Sequence, residues 1–432
     1  MNFAIITGGS QGDVQPLVAL ALELHRDGHR VRFCTHPLFE DFVGSRGLEF
    51  FSLGGNDPRG VMAADQKKGH KRGRLHTLWR VLHQTAPSEG DLHPYIEACR
   101  GMDGIIYNPF GGLASVAYHV AEKLQLPCCA LHLYPARPTR DFPSPYAPPG
   151  WHLGSAYNLL THVGAEQVSR LASRAWVDRW RVDTLQLPSL PLKGFFHNTT
   201  RRRVPQLFGF SPSVVPKPSD WKDWQHVTGY WFLDEAEAWE PPDGLAEFLR
   251  TGPPPVYIGF GSMVDARPEE LSEIIGEALS STGRRAVVGE GWGRMRCDLE
   301  NVYHIGWVPF RRLLPHVAAA VHHAGTGTAA EALRSGTPSV AVPFFGEQRF
   351  WAARLHELGV APAPIPRREL TAKKLAAAIE AAAGDAEIHA RAARLGECIR
   401  AEDGVGEAVR VINHYFLPQS APAPTPDGEA KA

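Results

Sequence analysis

The chain lacks several features that mark whole classes of protein. Its 432 residues carry 45 Lys and Arg against 46 Asp and Glu, so the formal net charge is only −1. A protein that binds nucleic acid through bulk charge needs a basic surplus, which this composition excludes. No apolar stretch approaches the length of about 18 residues that a membrane-spanning helix requires. The sequence therefore predicts neither a nucleic-acid binder of that kind nor a membrane span.

Cysteine is scarce as well. The six cysteines form no C-x-x-C pair, and so few in a chain of this length favour a reducing compartment over a disulfide scaffold. The first residues carry neither the basic region nor the long apolar region of a signal peptide. We therefore expect a cytoplasmic protein, with peripheral membrane contact left open.

Apolar strand-like segments and amphipathic helix-like segments alternate in both halves of the chain. Residues 3–7 and 31–35 predict strands on either side of a helix that begins near Pro16, and residues 104–107 predict a further strand. The second half repeats the pattern with strands expected at 255–259, 286–288, 302–305, 318–322 and 339–342, and a single last helix is expected over 386–415. Such alternation predicts an α/β protein with parallel, doubly wound sheets.

The organisation into domains follows from this repeat. We expect a first domain over 1–220, a linker rich in Pro, Trp and Asp over 221–242, and a second domain over 243–417. The polar, Pro- and Ala-rich residues 418–432 predict a disordered tail. Two such sheets facing each other would form an interdomain cleft, since ligands bind beyond the carboxyl ends of parallel strands.

The most informative motif is HHAGTGTAAE at residues 322–331. It follows an apolar strand and opens a helix, where small residues and free N–H groups favour an anion such as a diphosphate. The residues that would form this cradle are His323, Gly325, Thr326, Gly327 and Thr328. Glu331 could accept hydrogen bonds from ribose hydroxyls. The alternative is an ordinary Gly-rich turn between a strand and a helix.

Other candidates follow strands of the same half. Glu347 and Gln348 could bind vicinal sugar hydroxyls, or simply begin a helix. Trp307 offers a flat face for a base and Val308 its backbone, although a lone Trp is usually core packing. Ser262 could contact a phosphate. Because all these loops follow strands of one half, we expect them to converge on one sheet edge.

The first half supplies the candidates for chemistry on an acceptor. Asp13 could remove a proton from an acceptor hydroxyl, with Ser10 beside it, or it could be an ordinary first-turn carboxylate. The acceptor is expected near His132, the loop 135–149 and Trp151. Aromatic and apolar residues there suit a flat lipophilic molecule, while the plain interpretation of His132 is a core histidine.

These motifs resemble family 1 glycosyltransferases of the GT-B fold, which has two facing Rossmann-like domains. The resemblance covers nearly the whole chain. Residues 227–234 (VTGYWFLD) and 256–263 (VYIGFGSM) are most similar to sterol 3β-glucosyltransferases. Residues 9–16 (GSQGDVQP) are shared by those enzymes and by bacterial glycosyltransferases of antibiotics and other natural products.

The resemblance implies a role for each position. Trp307 would stack on uracil, Val308 would meet the base edge and Ser262 would approach the phosphate. The cradle around His323 would hold the diphosphate, Glu331 the ribose, and Glu347 with Gln348 the transferred sugar. Asp13 would be the general base, with Ser10 beside the acceptor.

Three positions depart from the family's patterns. Many plant members carry a catalytic His near the position of Ser10, so the base moves to Asp13 here. Phe310 replaces a Gln that follows the Trp-x-Pro element, and Glu347 stands where sterol enzymes more often have Asp. Phe310 bears on recognition of the base edge, and Glu347 bears on sugar preference.

The implied reaction is inverting transfer of a sugar, glucose from UDP-glucose, to a hydroxyl of a lipophilic acceptor such as a sterol. The chain has no Asp-x-Asp sequence, so we expect neither a metal nor a cofactor. An antibiotic or polyketide glycosyltransferase using a UDP- or dTDP-sugar is the main alternative. A UDP-GlcNAc 2-epimerase and a non-enzymatic, nucleotide-sugar-dependent partner of another transferase are the others.

Two further expectations concern the surroundings of the protein. The basic run at residues 67–74 (KKGHKRGR) could dock on an anionic membrane, or could be a solvated loop. We also expect a bacterial source, from the similarity to bacterial enzymes.

Overall fold

The computed structural model describes residues 1–60, 89–109, 116–148, 150–151, 153–191, 194–234 and 239–417. The basic run at 67–74 and the predicted tail at 418–432 lie outside these residues. Within them, two parallel sheets are flanked by helices, which confirms the predicted α/β class with two doubly wound sheets.

The first sheet has seven parallel strands in the order β3-β2-β1-β4-β5-β6-β7. The central strand β1 pairs with β2 on one side and β4 on the other, so that Ile6 lies between Cys34 and Tyr107. The strands are β1 Asn2–Ile6, β2 Arg30–Thr35, β3 Glu49–Ser52, β4 Gly104–Tyr107, β5 Cys128–His132, β6 Gln206–Phe208 and β7 Gln225–Val227.

Helices connect these strands and cover the sheet. The described ones are α1 Gln11–Arg26, α2 Glu40–Gly44, α3 Glu89–Cys99, α4 Val116–Leu124, α5 Gly154–Asp183 and α6 Gly194–Arg201, with a 3₁₀ turn at Pro37–Phe39. Apolar residues of α1 such as Leu17 and Leu20 are fully buried against strand residues such as Phe3 and Phe33.

The second sheet has five parallel strands in the order β10-β9-β8-β11-β12. These are β8 Val256–Gly259, β9 Ala286–Gly289, β10 Val302–Ile305, β11 Ala319–His322 and β12 Ser339–Ala341. The described helices of this half are α7 Asp243–Arg250, α8 Pro268–Thr282, α9 Phe310–Leu313, α10 Thr326–Ser335, α11 Gln348–Glu357, α12 Ala372–Gly384, α13 Ala386–Arg400 and α14 Gly404–Phe416, with 3₁₀ turns at Leu314–His316 and Arg367–Glu369.

The strand order reverses direction once in each sheet. The reversal falls between β1 and β4 in the first sheet and between β8 and β11 in the second. The connections that leave such neighbouring strands diverge to opposite faces, which opens a crevice at the carboxyl edge of the sheet. Residues 7–10 therefore border one crevice, and residues 260–263 and 323–325 border the other.

Three elements differ from the expected boundaries. Helix α1 begins at Gln11 rather than near Pro16, because Ser10 and Asp13 form a capping box that starts it earlier. Strand β7 lies within the expected linker and pairs with β6. The single last helix expected over 386–415 is split at residues 401–403 into α13 and α14.

Helix α14 lies on the first half, although the second domain was expected to extend to 417. The Phe416 ring meets the Phe3 ring of β1 edge to face, with centroids 5.1 Å apart. The chain returns beside the outgoing linker, where Gly404 and Gly229 approach so closely that a Cβ on Gly229 would lie 2.9 Å from the Gly404 Cα. Gly229 also has a φ of +104°, which side chains other than glycine rarely adopt.

The two halves share a buried apolar junction. Phe208, Phe210 and Trp221 of the first half pack in one cluster with Ala329 and Trp351 of the second. This cluster closes one side of the cleft, so the loops at the carboxyl edges of the two sheets face each other across it.

Candidate active site

Asp13 lies in the first turn of α1, at the crevice of the first sheet. Its Oδ2 accepts hydrogen bonds from the Ser10 backbone N–H at 2.8 Å and from the Ser10 hydroxyl at 3.1 Å. A Cβ on Gly9 would collide with this carboxylate, and the φ of Gly9 is +110°. Gly9 is therefore required both by its backbone conformation and by the space that the carboxylate occupies.

The environment of Asp13 shifts the pKa of its carboxyl into the range that suits a general base. Burial raises the pKa of its carboxyl to about 6, while the two hydrogen bonds from Ser10 act in the opposite direction. Asp13 is half-buried, so it keeps some exposure to solvent. At neutral pH the group is ionised yet basic enough to accept a proton.

The Gly-rich turn between β11 and α10 lies at the crevice of the second sheet. His323 is only 7% exposed, and its Nδ1 has no hydrogen-bond partner among the described residues. Burial lowers the pKa of this imidazole to about 4, so the ring is neutral at pH 7. Gly325 caps α10, and a Cβ there would collide with the His323 Nε2.

The amino termini of α1 and α10 meet across the cleft. A Cβ on Gly327 would lie 3.9 Å from the Gly12 Cα, which is ordinary van der Waals contact. The first N–H groups of a helix have no partner within it, and its amino end carries a partial positive charge. With the half-buried Thr326 and Thr328 beside them, these converging ends form a favourable place for a diphosphate.

Glu331 lies in the second turn of α10. Its Oε2 is buried without a hydrogen-bond partner in the described part of the chain. Burial raises the pKa of this carboxyl to about 7, and the nearby Arg334 only partly offsets that effect. Arg334 itself is held by two hydrogen bonds to Asp234 of the linker, at 2.8 and 3.2 Å. An unpartnered acceptor here suits a ligand hydroxyl.

Glu347 caps α11 and comes close to Asp13 from the opposite half. Burial raises the pKa of its carboxyl to about 7, and the negative charge of Asp13 adds to the rise. Glu347 retains some exposure to the cleft. The general-base candidate and the sugar-binding candidate therefore lie within electrostatic reach of each other.

Gln348 has a different environment from the one expected of a sugar ligand. Its side chain is 2% exposed, and its Oε1 accepts hydrogen bonds from the backbone N–H groups of Phe344 and Phe345 at 2.9 and 3.3 Å. Its Nε2 lies 3.3 Å from the Met263 sulfur. In this arrangement Gln348 secures the loop that carries Glu347 and ties it to the loop after β8.

Ser262 and Trp307 lie on further loops at the same sheet edge. The Ser262 loop adjoins the Gly-rich turn, since a Cβ on Gly261 would lie 3.5 Å from the His323 Cε1. Trp307 follows the edge strand β10 and is 57% exposed, so its ring is available to a ligand. The side chain of Val308 is buried in the core, which leaves its backbone as the polar group.

The two predicted acceptor residues are placed differently. His132 is the last residue of β5, and its imidazole stacks on the Phe208 ring with centroids 4.8 Å apart. Its Nε2 has no partner within the described ranges, and burial lowers its pKa to about 3. Trp151 is 56% exposed and lies against Tyr157 of α5 at 6.4 Å between ring centroids. Its ring is therefore accessible at the surface of the protein.

Two tyrosines in the cleft were missed from the sequence. The Tyr134 and Tyr146 hydroxyls are hydrogen-bonded at 2.8 Å, and the charges of Glu347 and Asp13 act on both. The available signal was weak, namely Tyr146 within the loop 135–149 already assigned to the acceptor and Tyr134 directly before it. Hydrogen bonds of Thr139 and Ser144 hold this loop in place.

Relatives of known activity show where the chain belongs. A sterol 3-beta-glucosyltransferase of Arabidopsis thaliana, UGT80A2, is 36% identical over 455 residues, which is 99% of this chain and 68% of that protein. The chain belongs to the glycosyltransferase family. A sterol 3-beta-glucosyltransferase of Pichia angusta is 35% identical over 437 residues. The match covers 95% of this chain but only 33% of the length of the Pichia protein.

Domain families and solved structures agree with this assignment. Residues 3–143 match the glycosyltransferase family 28 N-terminal domain, and residues 295–413 match the erythromycin biosynthesis protein CIII-like C-terminal domain. The calicheamicin glycosyltransferase CalG4 superposes with a TM-score of 0.67 at 21% identity, covering 98% of this glycosyltransferase and 99% of CalG4. VinC in complex with dTDP gives 0.64 at 20% identity, covering 96% and 100%. These structures confirm the GT-B fold.

Two other observations complete the description of this glycosyltransferase. The sterol 3-beta-glucosyltransferases compared above come from a plant and a yeast, so they give the expected bacterial source no support. Over the residues that the structure describes, no helix is long and apolar enough to cross a membrane, and no three His, Cys, Asp or Glu side chains are grouped as metal ligands.

Proposed function

We propose that the protein is an inverting, metal-independent glycosyltransferase that moves a hexose, glucose from UDP-glucose, to a hydroxyl of a lipophilic acceptor such as a sterol. The observation that carries the proposal is the meeting of Asp13 with the Gly-rich turn and Glu347 across the cleft. A proton acceptor from one half thereby faces a site for an anion and a sugar in the other.

Each side chain has a defined part in the proposed reaction. Asp13 removes the proton of the acceptor hydroxyl as that oxygen attacks C1 of the hexose from the face opposite the diphosphate. The C1–O bond to the diphosphate breaks as the new bond forms. His323 and the two helix amino termini stabilise the leaving diphosphate, and Glu331 accepts from the ribose.

The choice of a sterol as acceptor rests on the relatives. UGT80A2 bears the name sterol 3-beta-glucosyltransferase and covers 99% of this chain at 36% identity. The half-buried ring of Tyr134, just after β5, supports the same choice because it offers a flat apolar face. UDP-glucose is proposed as the donor on the same grounds.

A natural-product glycosyltransferase is the second candidate. It is favoured by the match of residues 295–413 to the erythromycin biosynthesis protein CIII-like C-terminal domain, which covers most of the proposed donor site. In that case the donor is a UDP- or dTDP-sugar and the acceptor a polyketide or another aglycone. Both candidates use the same base and the same diphosphate cradle.

Peripheral contact with a membrane is proposed for the loop and helix that border the acceptor side. Residues 142–165 contain no Asp, Glu, Lys or Arg. Their large apolar side chains at Trp151, Leu153 and Leu160 are exposed, and Trp favours the boundary between lipid and water. Flotation with vesicles of phosphatidylcholine and phosphatidylserine tests this contact. A protein that stays at the bottom of the gradient with both lipids contradicts it.

The reaction is tested with UDP-glucose and dTDP-glucose against a panel of sterols and polyketide aglycones, with EDTA present. Mass spectrometry reads the products. A hexose added to a sterol from UDP-glucose is the expected result. A hexose found only on another aglycone supports the second candidate, and activity that needs added magnesium contradicts metal independence.

A further inference from the structure

A pair of hydrogen-bonded phenols, Tyr134 and Tyr146, lies within electrostatic reach of Asp13 and Glu347. Tyr134 follows β5 by two residues, and its ring packs against the apolar junction of the two halves. Tyr146 lies on the Pro-rich loop, and the two hydroxyl oxygens are 2.8 Å apart. No function has yet been given to either residue.

Tyr134 packs in one cluster with Phe350 of α11, the helix that Glu347 caps, and the charges of Asp13 and Glu347 act on both hydroxyls. Burial and the negative charges of these two carboxylates raise the pKa of both tyrosines above the ordinary value. The phenols are therefore neutral hydrogen-bond donors over the working pH range. Neither carboxylate receives a hydrogen bond from them, so a gap remains between the phenols and the carboxylates.

One of the two phenol O–H groups has no acceptor within the pair. In a pair of phenols one O–H donates to the other oxygen, and the second O–H must find another acceptor. Tyr146 is also 54% exposed, which leaves its ring accessible to a ligand. A neutral alcohol, which both accepts and donates, suits a free O–H in a region where the nearby charges are carboxylates.

The backbone that carries Tyr146 is fixed in advance. The Thr139 hydroxyl donates to Asp220 Oδ1 at 2.7 Å, and the Ser144 N–H donates to the Thr161 hydroxyl of α5 at 2.9 Å. The Phe142 ring contacts Phe350 of α11 at 5.7 Å between centroids. The loop is thus anchored to both halves, so the phenol needs little reorganisation when a ligand binds.

We infer that Tyr134 and Tyr146 form a hydroxyl-binding subsite that closes the cleft over the reacting groups and receives an alcohol of the bound substrate. The inference deepens the proposed function and rests on it. The alcohol comes either from the transferred hexose, opposite Glu347, or from the acceptor, beside Asp13. The two sources share one chemistry and differ in which substrate loses affinity when the phenol is removed.

Phenylalanine variants test the subsite without removing the rings. Tyr146→Phe and Tyr134→Phe are compared with Tyr415→Phe, in which an exposed phenol bonded to His226 at 3.2 Å on the edge strand β7 is removed. Calorimetry measures the affinities for UDP, UDP-glucose and a soluble sterol that keeps its free 3-hydroxyl, and kinetics measures KM and kcat for both substrates. Melting temperatures confirm that each variant is folded.

The expected result is a loss of roughly three- to tenfold in affinity for one substrate, the size of one neutral hydrogen bond. If the affinity for UDP-glucose falls while the affinity for UDP does not, the alcohol belongs to the hexose. If only the affinity for the acceptor falls, the alcohol belongs to the acceptor. Variants that match Tyr415→Phe in every affinity and in both KM values overturn the inference.

The binding measurements also separate this inference from the proposed function. One outcome is that the wild-type protein transfers no hexose while the Tyr146→Phe variant still binds UDP-glucose more weakly than wild type, with its affinity for UDP unchanged. In that case the subsite stands and the proposed reaction fails. If the wild-type protein transfers hexose and neither tyrosine matters, the reaction stands and the subsite is refuted.

Discussion

Replacing Asp13 by Asn removes the proposed base with little change of shape. The Asn Oδ1 can still accept the Ser10 N–H that now lies 2.8 Å from the carboxylate, so the start of α1 is retained. Alanine would remove that cap as well, which typically costs about 0.5–2 kcal/mol of stability. Asn therefore separates the loss of the base from the loss of structure.

The magnitude follows from the role of the group and its pKa. Loss of a general base lowers kcat about 10²–10⁴-fold, or about 2.7–5.5 kcal/mol in the barrier. Because the pKa of Asp13 is about 6, only about a tenth of the wild-type enzyme carries the ionised base at pH 5. The wild-type rate should therefore rise with pH through about 6 and level above it.

Stability should change in the opposite direction to activity. Burial raises the pKa of Asp13 from 3.8 to about 6, so the folded state disfavours the charged form. Stability therefore falls as pH rises through this interval, and the full penalty is present above pH 6. The neutral Asn avoids it, so Asp13→Asn should melt no lower than the wild-type protein at pH 7.

The assay is initial-rate transfer from UDP-glucose between pH 4.5 and 8.5, with differential scanning fluorimetry on the same samples. Asp13→Asn should lose the acid limb together with most of its rate. A variant that keeps its rate within fivefold of the wild-type rate, with its melting temperature unchanged, would refute the assignment of the base.

Further predictions concern the donor half. Gly325→Ala should displace the His323 ring, since a Cβ on residue 325 collides with the His323 Nε2. The affinity for UDP, measured by calorimetry, should fall about tenfold without a lower melting temperature. An unaltered UDP affinity would contradict this prediction. Glu331→Gln removes a buried carboxylate whose pKa burial raises to about 7, so above pH 7 it should raise the melting temperature while weakening UDP. A melting temperature that falls would contradict this. Gln348→Ala should leave two loop N–H groups without their acceptor, costing about 1–3 kcal/mol in denaturant unfolding and raising the donor KM; a variant as stable as wild type would show that the amide does not secure the loop.

Much of the fold could be predicted because its signals are local. Residues 302–305 and 104–107 are short apolar runs bounded by turn residues, and both are strands with the expected limits. Strands β6 and β7 were missed, since three residues beside Pro and Trp give no periodicity. The place of α14 on the first half depends on long-range packing of Phe416 against Phe3, which no local pattern contains.

The placement of candidate residues could be predicted where they come soon after a strand. Asp13, His323 and Glu347 lie in segments that follow the carboxyl ends of β1, β11 and β12, and parallel topology brings such segments to one edge of a sheet. Gln348 shows the limit, because an amide that could bind a sugar is instead turned into its own loop. The Tyr134 and Tyr146 pair shows another, because their meeting depends on the path of an irregular loop.

The most direct test of the central claim is the anomeric configuration of the product. The wild-type protein is incubated with UDP-α-glucose and a sterol in the presence of EDTA, and the purified product is examined by proton NMR. The account predicts a β-glucoside, because the proposed acceptor oxygen, deprotonated by Asp13, attacks C1 from the face opposite the diphosphate. An α-glucoside, or transfer that is restored only by magnesium, would contradict it.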